Sequence, residues 1–315
     1  MEWVEDSMEV ALLPLLLAAA LRAGTPILLA ALGELLAERA GMLNLGLEGM
    51  MLVGALTGFI VSHQTADPWL GVLAAALAGA ALSLIHAFLT ISLHANQIGS
   101  GLALTIFGTG LGGLLGKRFV GLPTVGVAPL AVPWLADVPL LGRIFFQHDP
   151  LVYISYLLVP GLWVLLYRTR LGLKVRAVGE NPRSADAMGI SVVAVRYSCM
   201  VAGGLAAGIE GAYLSLAYTQ MWVDNMTAGR GWIALAMVIF GTWDPVRAAL
   251  GAYLFGGVQA LQLRLQAIGI AMPTYLLMMA PYGFTVLALI MASGCRAQRR
   301  LGPPAALGTT YIRGE

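Results

Sequence analysis

Glu48 and Glu210 stand inside long apolar runs of this chain. An ionisable group at bilayer depth is costly, so a carboxylate kept there is by default functional, either lining a solute path or relaying protons. The competing reading is structural, because polar side chains also hydrogen-bond one helix to another. Asn44 precedes Glu48 by one helical repeat, and the two share a face if that segment is helical. Asn96, Gln97 and the stretch from Gln220 to Asn225 fall near the ends of apolar runs, where water or headgroups can satisfy them. Trp232, Tyr213 and Tyr218 suit either an interfacial aromatic belt or a ring-stacking surface. The candidates for lining a path are Asn44, Glu48, Asn96, Gln97, Glu210 and Trp232.

Catalytic constellations are missing. No HExxH is present, and His63, His86, His94 and His148 are not paired at ligand spacing, so no metal site is expected. Gly116-Lys117 falls short of a phosphate-binding loop, since Leu111 replaces its first glycine and Arg118 its Ser/Thr. Gly108, Gly110 and Gly113 match a dinucleotide fingerprint but lie within an apolar run with no strand before them. The chain is expected to bind no cofactor, and any use of ATP must come through another subunit.

The segment 168–196 is the most informative polar stretch. It carries Arg168, Arg170, Lys174, Arg176, Arg183 and Arg196 against Glu180 and Asp186, with Gly172, Gly179 and Gly189 at intervals. Asn181 before Pro182 can cap and start a short helix, and Gly189 can end it. A short helix on a basic loop at the membrane face can dock into a partner's groove. The plainer alternative is ordinary positive-inside charge.

The elements that must hold these residues are transmembrane helices. The composition is 59% hydrophobic and 11% charged, whereas soluble domains carry about 25% charged residues. With roughly 20 apolar residues per span, the 315 residues form a single all-α transmembrane domain of about eight to ten spans. Apolar length places helices near 10–33, 43–61, 69–93, 97–116, 151–167, 197–218, 231–242, 248–263 and 273–293. The piece 231–242 is too short to span, so it either merges with a neighbour or forms a half-helix beside a cavity. The prolines of 117–150 mark a surface connector. Residues 294–315 read as a flexible tail, and their arginines, with those of 168–196, assign both segments to the cytoplasm and the acidic amino terminus to the outside. Gly54/Gly58, Gly108/Gly112/Gly116 and Gly204/Gly208 have the spacing that lets membrane helices approach closely. A net charge of +2 without a concentrated basic face gives no support to nucleic-acid binding. Cys199 and Cys295 have no metal-ligand spacing and read as small apolar fillers.

Four co-linear strings carry a resemblance. They are Gly33-Glu34 through Glu38-Arg39, Gly41, Asn44, Gly46 and Glu48 to Met51; Ala95-Asn96-Gln97 through Gly101, Thr105 and Phe107 to Gly110; the 168–190 connector with Gly179-Glu180-Asn181-Pro182; and Gly229-Arg230-Gly231-Trp232 through Ala236 to Phe240-Gly241. Together, over roughly 20–293, they resemble the ABC-transporter permeases of the nucleoside and simple-sugar branch of the branched-chain amino-acid/ribose superfamily. The resemblance implies a permease of the bacterial inner membrane that pairs with a second, homologous permease, cytoplasmic ATPase subunits and an external substrate-binding lipoprotein. It implies that the loop at 168–190 contacts the ATPase, through Arg170, Gly172, Arg176, Gly179, Glu180, Asn181, Pro182, Asp186 and Gly189. It implies import by alternating access, of nucleosides and purine nucleosides above all, with sugars or branched-chain amino acids as the alternative. A different class stays open from the residues alone: an ion-coupled secondary transporter, with Glu48 and Glu210 as its proton relay.

Overall fold

The computed structural model describes residues 2–268 and 302–313, with the single positions Met279, Gly283, Val286, Leu287 and Ile290 between them. Helix α1 covers Glu2–Arg39, α2 Leu47–Thr65, α3 Pro68–Ala87, α4 Gln97–Gly116, α5 Leu141–Phe145 and α6 Pro150–Arg168. Then follow α7 Arg170–Glu180, α8 Pro182–Ala187, α9 Val192–Ala212, α10 Arg230–Phe240 and α11 Pro245–Ala267. Helices α3 and α9 each run on into a π-helical turn, Phe88–Ser92 and Tyr213–Tyr218. Eight of the nine expected segments are thus helices, and the ninth, 273–293, lies outside the described residues except at those five positions, which are helical.

Among the described residues, five stretches are long and apolar enough to cross a membrane: Leu13–Arg39, Pro68–Ser92, Gln97–Phe119, Pro150–Arg168 and Val192–Tyr218. Helix α2 has the length, 19 residues, but carries Glu48 at its start and His63 in its last turn. Strand among the described residues is confined to the antiparallel pair β1 (Leu130–Ala131) and β2 (Gln147–His148) in the proline-rich connector. The molecule is a polytopic helical membrane bundle.

Local chemistry sets the helix starts. Asp67, Asp149 and Asp244 each accept two backbone N–H bonds at the head of a helix whose first residue is proline, Pro68, Pro150 and Pro245. A side-chain acceptor satisfies donors that the first turn leaves unpaired, and proline there forfeits no hydrogen bond. Small residues then set the packing. A Cβ on Gly54 would lie 2.8 Å from the Cα of Gly208, and one on Gly204 would run into Ser83 and the carbonyl of Gly79. Helices α2, α3 and α9 therefore meet backbone to backbone, as the four-residue spacing predicts.

The bundle has two ends. Helix α1 finishes at one end, where the turn at Gly41 and the segments 168–190 and 302–313 meet. At the other, Val120 and Pro123 pair with Trp222 and Met221, and Ser62 donates to the carbonyl of Val125. The connector and the described part of the tail lie at the same end, which the shared excess of arginine requires. Residues 302–313, expected as flexible, are instead folded against the bundle: Ala306 is buried, and its N–H donates to the carbonyl of Gly179 at 2.9 Å.

Candidate functional site

Helix α10 supplies the geometry on which the site is built. After α9 the chain turns back from the far end through non-helical residues 219–229 and begins α10 beside the first turn of α2. With 11 residues, about 16 Å at 1.5 Å per residue, α10 is a half-helix, the second of the two forms its length allowed. Its unpaired N–H groups therefore point into the bundle, where an acceptor is needed.

Glu48 is that acceptor. Its two carboxylate oxygens take the N–H of Gly229 at 2.8 Å and of Gly231 at 2.6 Å, and the residue is 6% exposed. Gly231 is obligatory, because a Cβ there would lie 2.7 Å from a Glu48 oxygen and 2.8 Å from its backbone. A negative charge at a helix N-terminus is also favoured by the helix dipole. Glu210, on the facing side of α9, is fully buried, and neither of its oxygens has a hydrogen-bond partner among the described residues. Arg230 and Glu48 are its charged neighbours. Arg230 donates from Nη1 to the carbonyls of Met226 and Thr227, which leaves its Nε unpaired, as is the buried hydroxyl of Thr227. Glu48, Glu210, Arg230 and Thr227 thus form a polar cluster enclosed by α2, α9 and the start of α10, with unused donor and acceptor capacity.

The other expected path residues lie elsewhere. Asn44 is not on the face of α2, which begins only at Leu47. It sits in the irregular turn before it, where its side-chain oxygen accepts from Gly46 N at 3.1 Å and its own N–H donates to Glu34 at 2.9 Å. Gln97 braces the same turn by accepting from Leu43 N at 2.8 Å, and Asn96 is an exposed cap of α4. Trp232 points outward, 40% exposed.

Sequence reading missed a second buried carboxylate pair. Helix α1 extends past the expected limit at residue 33, which takes Glu34 and Glu38 inside. The indole N–H of Trp243 donates to Glu38 at 2.5 Å, and Arg39 Nε donates to the carbonyl of Trp243 at 2.9 Å. These bonds fasten the C-terminal end of α10 to α1 as Glu48 fastens its beginning to α2. In the sequence the pair is marked by its place in the first family-like string.

The connector is two helices. Asn181 caps α8, its side chain accepting from Ser184 N at 3.0 Å, and Gly189 follows with φ +79°, as expected. Helix α7 was not foreseen. Its Gly172 lies against the carbonyl of Leu165, Gly179 against the carbonyl of Arg39, and Arg176 stacks on the ring of Tyr167 at 5.4 Å. Arg170, Glu180 and Asn181 are exposed, with Pro182 half-buried between them and Asp186 half-buried and ion-paired to Arg313 at 3.0 Å. At the opposite end, burial pushes the His148 imidazole below its ordinary range and the Asp149 carboxyl above it; Asp149 caps the entry to α6, and the imidazole bonds to the carbonyl of Ile144.

Residues 16–293 match the family model described as the branched-chain amino acid transport system permease component. The chain belongs to this permease family. It is 49% identical over 261 residues to the putative glucose ABC transporter permease protein TsgC13 of Haloferax volcanii, covering 82% of this chain and 79% of that one. It is 36% identical to the guanosine ABC transporter permease protein NupQ of Bacillus subtilis, covering 97% of this chain and 99% of the relative. The nucleoside ABC transporter permease protein NupC of Lactococcus lactis is also 36% identical, with 92% and 94% covered. No solved structure matches the chain. Membership makes this multi-pass membrane protein a transport permease of the ABC importer type.

Proposed function

We propose that the chain imports nucleosides, purine nucleosides first, as one permease of an assembly with a second homologous permease, cytoplasmic ATPase subunits and an external binding lipoprotein. The observation that carries the substrate is similarity to guanosine and nucleoside permeases over nearly the whole chain. In this reading the end bearing α7 and α8 faces the cytoplasm of a prokaryotic cell, at the inner membrane where there are two. ATP is used by the partner subunit, and closure of the ATPase pair moves α8 and rocks the helices between inward- and outward-open states.

The polar cluster is the proposed midpoint of the path. Movement of 219–229 and α10 away from α9 would uncover Glu210, Thr227 and Arg230, whose free acceptor and donor atoms suit vicinal hydroxyls of a sugar ring. That chemistry is common to nucleosides and sugars, and the 49% identity to a putative glucose permease favours glucose as the second reading. Competition in cells carrying the complete transporter separates them. Uptake of labelled guanosine should be suppressed by excess adenosine and unaffected by excess glucose or leucine. Suppression of a glucose signal by glucose, with no guanosine uptake, moves the substrate to sugars.

A further inference from the structure

Residues 302–313 touch α7, α8, α9 and the turn after α1 at the connector end. Ala306 N donates to the carbonyl of Gly179, at the end of α7, at 2.9 Å, and Gly308 N donates to the carbonyl of Gly41, in the turn after α1, at 3.1 Å. Arg196, in the first turn of α9, donates to the carbonyl of Thr309 at 3.2 Å, and Arg313 pairs with Asp186 of α8. Tyr311 packs on Val178, Ala185 and Val192, which come from α7, α8 and α9 in turn, while Leu307 rests on the main core. Most of these bonds use backbone groups, so they depend on the path of the segment more than on its side chains. Gly308 holds φ +73°, a conformation that keeps the turn at Thr309 against α9.

We infer that residues 302–313 are a strap that ties the α7–α8 connector to the cytoplasmic ends of α1 and α9, so that a displacement of α8 is delivered to the helices carrying Glu38 and Glu210. Helix α8 is only six residues long and projects Met188, 82% exposed, beyond its end. Helix α8 already packs on α7 and α9 through Ala185 beside Val178 and Val192, and the strap adds a second hold that also reaches α1 through Gly41. This rests on the reading of the connector as the surface that meets the ATPase.

The test uses the complete transporter in vesicles, with the chain ended after Leu301 in one variant and carrying Gly308→Pro in another. Proline removes the N–H donated to Gly41 and cannot adopt a positive φ, yet every membrane helix keeps its sequence. Should the shortened chain be made in reduced amount, the Gly308→Pro protein at normal amount decides. The strap predicts that the ATPase is still retained on pull-down and still hydrolyses ATP while labelled guanosine uptake falls at least tenfold. Uptake at the parental rate overturns it, and so does loss of the ATPase, which would make the segment a docking surface. The connector reading is judged separately by Ala185→Pro, which should lose the ATPase outright.

Discussion

Glu48 and Glu210 look alike in sequence, each a carboxylate in an apolar run, but the structure gives them different work. Both oxygens of Glu48 accept a backbone N–H, so Glu48→Gln turns an NH2 against one donor and strands it in the bundle. An unsatisfied buried group costs about 1–3 kcal/mol, and the variant should lose thermal stability in detergent as well as uptake. Glu210 has no such bond to lose. Glu210→Gln should therefore keep its melting midpoint while guanosine uptake falls, measured side by side with Glu48→Gln. Normal uptake by Glu210→Gln would remove it from the path, and an unchanged midpoint in Glu48→Gln would refute the capping role. The two carboxylates were legible because charge is costly in lipid. Glu38 was not, because what keeps it inside is Trp243, a partner distant in sequence that no local pattern announces.

At the scale of elements, capping chemistry was the most readable signal. Asn181 before Pro182 and Gly189 after Met188 defined α8, and the structure has that helix with that cap. Helix α7 escaped because its glycines argue locally against a helix, whereas in the fold they let it lie against the backbones of α6 and α1. The half-helix α10 was readable as a shortfall in length, but the direction from which residues 219–229 enter was not, because turns carry no apolar periodicity. Ala185→Pro tests the proposed role of α8. Proline inside a helix removes a donor and clashes with the preceding turn, about 3 kcal/mol or more, and Ala185 N currently bonds to the carbonyl of Asn181 at 3.0 Å. The protein should reach the membrane in normal amount, since the spans depend on apolar length and lipid, but fail to hold its ATPase and import nothing. A variant that keeps its ATPase and the parental uptake rate would reduce the basic connector to topological charge.

The whole molecule is organised by direction. Helix α1 runs toward the connector end, and α2, α3, α4 and α6 then alternate, so that α6 delivers the chain to α7 and α8 where the charge bias requires. The polar cluster is enclosed between the two ends, at the tip of a half-helix clamped by Glu48 at its start and by Trp243 at its finish. In the proposed assembly ATP is used by the partner subunits, so the energy for opening that cluster arrives through the connector end. Proteoliposomes containing this chain with the proposed sister permease, ATPase subunits and binding lipoprotein measure that directly. Labelled guanosine should accumulate only when ATP is supplied on the ATPase side, and a pH gradient without ATP should drive none. Guanosine accumulation by this chain alone, driven by a pH gradient, would contradict an ATP-driven permease and make Glu48 and Glu210 a proton relay.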